Sequence, residues 1–172
     1  MKISVHAMSV ELLAGALSNL SAVLEKGHAH AVARKFDPAV LLAARLAPDM
    51  FPLTRQVQIA TDVAKGGVAR LAGREPPKFE DNEQTFEELR ARLARTIDFV
   101  KSTPASAFEA AEDRDIKLPA RDRTIEFKGL DYLQRFVIPN VFFHSTMAYA
   151  ILRHNGVELG KKDFLTGNGP AF

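Results

Sequence analysis

With 172 residues, 47% of them hydrophobic and 26% charged, the chain has the make-up of an ordinary globular protein and the length for one core. It contains no cysteine, which excludes a disulfide framework, a thiol nucleophile and a thiolate metal site, and is compatible with a cytoplasmic location. The net charge of +2 arises from interspersed acids and bases, so no basic stripe is offered to nucleic acid.

The amino terminus, Met1-Lys2-Ile3-Ser4-Val5-His6, lacks the charged-then-apolar order of a secretory signal. No apolar run approaches the ~18 residues of a membrane span, so no membrane partner is expected. Val10, Leu13, Leu17, Leu20 and Leu24 then recur at steps of three and four, which predicts a first helix capped by Ser9 or starting nearer Ser4. Gly27 is the expected stop, with His28-Ala29-His30 in a linker and a short helical turn opened by Asp37-Pro38.

A second long helix is predicted from Pro52, with Leu53, Val57, Ala60, Ala64, Val68 and Leu71 on one face and Gly73 at its end. Inside it, Gly66-Gly67 either permits close helix contact or weakens the helix by about 1 kcal/mol per glycine. After Pro76-Pro77, a third helix runs from about Thr85 to Lys101 with Phe86, Leu89, Leu93, Ile97 and Val100 inward. Its other face, with Glu87, Glu88, Arg90, Arg92 and Arg95, is expected in solvent with a Glu88–Arg92 pair.

Over 102–128 the helical period vanishes. Ile116-Lys117-Leu118 and Thr124-Ile125-Glu126-Phe127 alternate apolar with polar around Pro119 to Arg123, predicting a small β-hairpin. Gly129 returns the chain to a fourth helix, from Leu130 to about His154, closed by Asn155-Gly156, with a loosely held tail beyond. The reading is an all-α antiparallel four-helix bundle with a short β-hairpin before the last helix, as one domain over 1–172.

The fourth helix carries more apolar side chains than one face can hold, among them Phe136, Val137, Val141, Phe142, Phe143, Met147, Tyr149, Ile151 and Leu152. Its interruption by Pro139, Asn140, His144 and Ser145 marks it as a buried helix rather than a span. The surplus predicts cover by other elements or a homodimer through this helix.

Within its inward stripe of Leu133, Val137, Asn140, His144, Ala148 and Ile151, two polar groups are stacked one turn apart. Burying either without a partner costs about 1–3 kcal/mol. On the second helix, Thr54, Gln58, Asp62 and Lys65 form a polar row that is the candidate partner. Were Gln58 and Asp62 to meet Asn140 and His144, a small polar pocket would lie between the helices. Pro139 frees the Arg135 carbonyl next to that place.

The stretch Pro139-Asn140-Val141-Phe142-Phe143-His144-Ser145-Thr146-Met147-Ala148-Tyr149, with His154-Asn155-Gly156-Val157 and Lys161-Lys162-Asp163-Phe164-Leu165, resembles the bacterial family known as domain of unknown function 1993. Asp49-Met50-Phe51-Pro52-Leu53, Gln56-Val57-Gln58, Asp62 and Ala64-Lys65-Gly66 resemble its second-helix motif. That family is similar to the DinB/YfiT-like superfamily of four-helix-bundle metalloenzymes, often dimeric. There a histidine of the second helix and a His-x-x-x-His pair of the fourth bind a divalent metal.

By that resemblance His144 matches the last ligand, Asn140 stands at the preceding one, and the second-helix ligand falls near Gln58 or Asp62. Amide oxygens are poor ligands for zinc or nickel, so the expectation is a degenerate, non-catalytic or small-ligand-binding site with no cofactor. The alternative is a metal-dependent transferase or hydrolase in which His144 and Asp62 hold zinc or nickel and activate water.

His28 and His30 lack a third ligand, and His6 and His154 are expected in solvent near helix ends. Tyr149 points away from His144. The acidic cluster Glu109, Glu112, Asp113 and Asp115 lacks the order of a calcium loop, and neither a phosphate-binding glycine loop nor a Gly-x-Ser-x-Gly elbow occurs.

Overall fold

The computed structural model describes residues 4–120 and 122–170; residues 1–3 of the amino-terminal segment and Arg121 of the predicted turn lie outside them. The protein is mostly helical, with one antiparallel two-stranded hairpin. The first helix, α1 (Leu12–Arg34), continues a π turn over Ala7–Glu11. Ser4 caps the start, its hydroxyl accepting the Ala7 N–H at 3.1 Å. Ser9 lies inside instead, donating to the Val5 carbonyl at 2.6 Å, a side-chain bond that coincides with the widened turn.

Gly27 does not stop α1. It sits mid-helix where a Cβ would meet Leu152 at 2.9 Å and Phe86 at 3.3 Å, so the glycine answers a packing need. The helix ends two turns later at Lys35, in left-handed backbone, with Phe36 N–H reaching the Ala31 carbonyl. His28 and His30 are therefore helical: His28 stacks on Phe86 and pairs with Glu87 at 3.0 Å, while His30 sets its edge against Phe36. By length and composition, residues Ala7–Arg34 are apolar enough to cross a membrane, where no apolar run of that kind was expected. Here Leu13, Leu17, Leu20 and Leu24 are buried, and α1 packs against later helices on two sides.

Asp37 accepts the Ala39 N–H and opens the short α2 (Ala39–Ala43). The next helix, α3 (Leu53–Leu71), follows Pro52 and closes at Gly73, whose φ is +68°. Thr85 and Glu88 form a reciprocal cap at the start of α4 (Phe86–Lys101). The strands β1 (Asp115–Ala120) and β2 (Arg123–Lys128) pair with Ile116 opposite Phe127 and Leu118 opposite Ile125.

From Gly129 the chain is helical to His154, as α5 (Gly129–Tyr132), a π turn over Leu133–Val137 and α6 (Ile138–His154). The π turn immediately precedes Pro139, which cannot donate into the ladder. α3 packs on α6 and α4, and α1 on α4 and α6. Between α3 and the π turn that leads into α6 the contact is close, since a Cβ on Gly67 would meet Val137 Cγ1 at 2.6 Å. Gly66 instead leaves room for the Arg70 guanidinium.

The tail is held, contrary to expectation. It forms α7 (Lys161–Thr166) against α1, where Asn19 donates to the carbonyls of Phe164 and Leu165 and Lys26 pairs with Asp163. The surplus apolar surface of the last long helix is shared out. Phe136 packs on Tyr132 and Phe127 of the hairpin, Tyr149 on Phe164 of α7, and Phe143 stays 54% exposed.

Candidate functional site

His144 lies on the face of α6 turned toward α3, 8% exposed. Its Nδ1 is 2.7 Å from Oε1 of Gln56. Gln56 is itself buried, and its Nε2 donates to the Phe51 carbonyl at 3.1 Å. That second bond fixes the amide: Oε1 must be the end facing the ring. Nδ1 therefore carries the proton and donates to Gln56, which leaves Nε2 with its lone pair. Burial first, and the nearby Arg55 charge second, push the His144 pKa below its ordinary 6.5.

The depressed value predicts a stability slope. With the folded-state pKa below the unfolded one, stability is full above pH 6.5 and falls as pH drops from there toward the folded value. In that window the unfolded chain takes up a proton that the folded chain refuses. A proton NMR titration is expected to place the His144 midpoint below 6.5, and His144→Gln to flatten the slope in denaturation series. A midpoint at or above 6.5 would mean that the ring is not held as described.

Asn140 does not join His144. Half-buried, it donates Nδ2 to the Phe136 carbonyl at 2.7 Å, so the amide is spent on its own helix. Gln58 and Asp62, the expected partners from α3, also bond elsewhere. Gln58 donates to Glu83 at 2.9 Å and accepts from Arg55 at 3.2 Å. Asp62 is taken by Arg92 at 2.7 Å and Lys65 at 2.9 Å. Thr54 ties α3 to α2 through the Leu42 carbonyl.

The centre of this second network is Arg92, which was expected in solvent beside Glu88. Glu88 is instead engaged in the cap with Thr85, and the Arg92 side chain is fully buried. Four hydrogen bonds and a further ion pair hold it: Nε donates to Thr61, Nη1 to the Glu80 carbonyl and Glu83, and Nη2 to Asp62, with Asp81 2.9 Å from Nη2. Burial alone would raise the Glu83 pKa, but the hydrogen bonds from Arg92 and Gln58 outweigh it and hold the carboxylate below its ordinary value. Phe79 closes the assembly beneath Lys65, Arg92 and Arg95, the last only 3.8 Å from its ring centre.

This donor set does not fit a divalent metal. One imidazole, with only Nε2 left to ligate, faces an amide from α3, and the amide of Asn140 is turned away. The His144–Asp62 pair that zinc or nickel would require does not form, because Asp62 neutralises two cations. Among the described residues no three histidine, aspartate or glutamate side chains gather into a metal-holding group.

Sequence reasoning missed Gln56 although a signal was present: it is three residues after Leu53 and four before Ala60, inside the apolar stripe of α3. Arg92 gave a comparable signal, lying three residues after Leu89 and four before Thr96, both buried. The remaining residues, 74–85, whose Glu80, Asp81 and Glu83 complete the network, carry no periodicity to read.

A family model described as "Domain of unknown function (DUF1993)" matches residues 5–165. The chain is also similar to the crystal structure of a DinB family member protein from Shewanella denitrificans. The two share 43% sequence identity at a TM-score of 0.86, over 93% of this chain and 90% of that one. No curated protein matches.

Proposed function

Since the chain belongs to the DUF1993 family and has DinB-like kin, we propose that it is a one-domain DinB-like four-helix bundle whose interhelical site binds a small polar ligand without metal. The observation that carries this reading is the chain of bonds Phe51 carbonyl, Gln56 amide, His144 ring. It holds a neutral imidazole in one tautomer and leaves Nε2 as a hydrogen-bond acceptor, beside the Arg55 cation. A donor on the ligand suits the ring and an acceptor suits the guanidinium. Exposure of Phe143 on the same helix supports a homodimer contact there.

The discriminating experiment is elemental analysis of protein purified without chelator or nickel resin, then reloaded with zinc, nickel and iron. Substoichiometric metal, unchanged in His144→Ala, is the expected result. One equivalent of metal that disappears in His144→Ala would replace this reading with a metal-dependent transferase or hydrolase.

A further inference from the structure

We propose that the cavity walled by α1, α6 and α7 is a second ligand site, for a neutral or amine-bearing apolar molecule and not for a fatty acid or other anion. It is independent of the His144 reading, since Ser145 is turned about 100° around α6 from its neighbour. The cavity measures about 820 Å³ and has walls such as Leu12, Phe142 and Leu165. That volume is in the range of small-molecule sites, roughly 300–1,000 Å³.

Two features of the wall have no explanation within the fold. The first is Ser145, 3% exposed, whose Oγ finds no hydrogen-bond partner. Helical hydroxyls commonly turn back to the carbonyl four residues earlier. Ser9, Thr96 and Thr166 all do so here, and Ser145 does not. A buried hydroxyl left unpaired costs stability, so a ligand that pairs it recovers that loss.

The second is Gly15, inside α1. Glycine weakens a helix interior, yet a Cβ at Gly15 would meet nothing within 4 Å. Gly27 and Gly67 each answer a tight contact, whereas the room beside Gly15 belongs to the cavity.

Charge selects the ligand class. Among the described residues lining the cavity there is no lysine, arginine or histidine, and the one ionisable side chain is the exposed Glu11. Asn19 spends its amide hydrogens on α7, leaving Oδ1 as an acceptor. An anionic headgroup would meet acceptors and a carboxylate with no cation. An amine complements Glu11, and a hydroxyl complements Ser145.

The test is displacement of Nile red by decylamine, decan-1-ol and decanoate, each below its micelle threshold. Amine and alcohol are expected to displace the dye, with decanoate at least about tenfold weaker. Ser145→Ala should weaken the alcohol about fivefold, the worth of one hydrogen bond. Gly15→Leu should intrude into the cavity and weaken dye binding at least about fivefold while the helical circular dichroism and unfolding midpoint are kept or raised. Decanoate binding as tightly as the amine, no binding of any probe, or dye binding that Gly15→Leu leaves unweakened would overturn the proposal. So would a dimer, seen by light scattering, that Gly15→Leu dissociates in protein that binds no probe, since the face would then belong to a second copy.

Discussion

Arg92→Met is expected to destabilise the protein by about 3–5 kcal/mol, measured by urea or guanidinium denaturation. The loss comes mainly from what is left behind. Glu83 is itself buried and would keep only the Gln58 amide as a partner. Asp62 and Asp81 are about a third exposed and retain Lys65 and Arg55, so water and those cations screen their share. The double variant Arg92→Met with Glu83→Gln should recover part of the loss, because removing both members of a buried pair is far less costly than removing one.

Arg92→Lys should behave as a loss too, since one ammonium cannot reach five partners held by α3 and the loop before α4. The acid limb carries a second readout. The depressed pKa of Glu83 contributes stability that is full above its ordinary value of 4.5 and is lost as pH falls below it, through the folded-state value. Glu83→Gln should therefore unfold over a shallower acid branch. A cost below about 1 kcal/mol for Arg92→Met would mean that the guanidinium is solvated after all.

Gly129→Ala is expected to cost about 3 kcal/mol, the upper end for overpacking. The residue stands where β2 turns into α5, and a Cβ there would meet the Ala111 carbonyl oxygen at 1.8 Å. A flexible side chain could swing aside, but a backbone carbonyl cannot. The approach is held by the Leu130 N–H on the Glu112 carbonyl at 3.0 Å, and Ala110 already sits at a positive φ of 53°. Relief must therefore come from moving the hairpin off the helix, which disturbs the Phe127, Tyr132 and Phe136 stack. The denaturation midpoint should fall together with the near-ultraviolet tyrosine signal. The gain of a few tenths of a kcal/mol or more that Gly→Ala gives in an unstrained helix would refute the close approach.

Local rules carried much of the architecture. Pro52, Gly73 and Asn155-Gly156 marked helix ends correctly because each acts on backbone groups within a turn of itself. The alternation around Ile116 and Phe127 located the hairpin for the same reason. The errors fall where a local sign had a distant cause. Gly27 looked like a stop, but its missing side chain makes room for Leu152 and Phe86, and α1 ends at a lysine that no sequence rule favours there. Arg92 looked solvated because charge is normally outside, and its exception depends on four acidic or hydroxyl side chains from α3 and the loop before α4.

The residues along one helix thus determined which groups share a face, and His144 was found among the inward positions of α6 on that ground. Which face meets which partner was decided only by tertiary packing. A 3.6-residue period repeats along α3 and sets Gln56 on the stripe and Gln58 beside it, but it holds no information on the rotation of α3 against α6. That rotation follows from side chains interlocking across the two elements, as Val137 of the π turn leading into α6 does over Gly67, and it delivered Gln56 to the imidazole, Gln58 to Glu83 and Asp62 to Arg92.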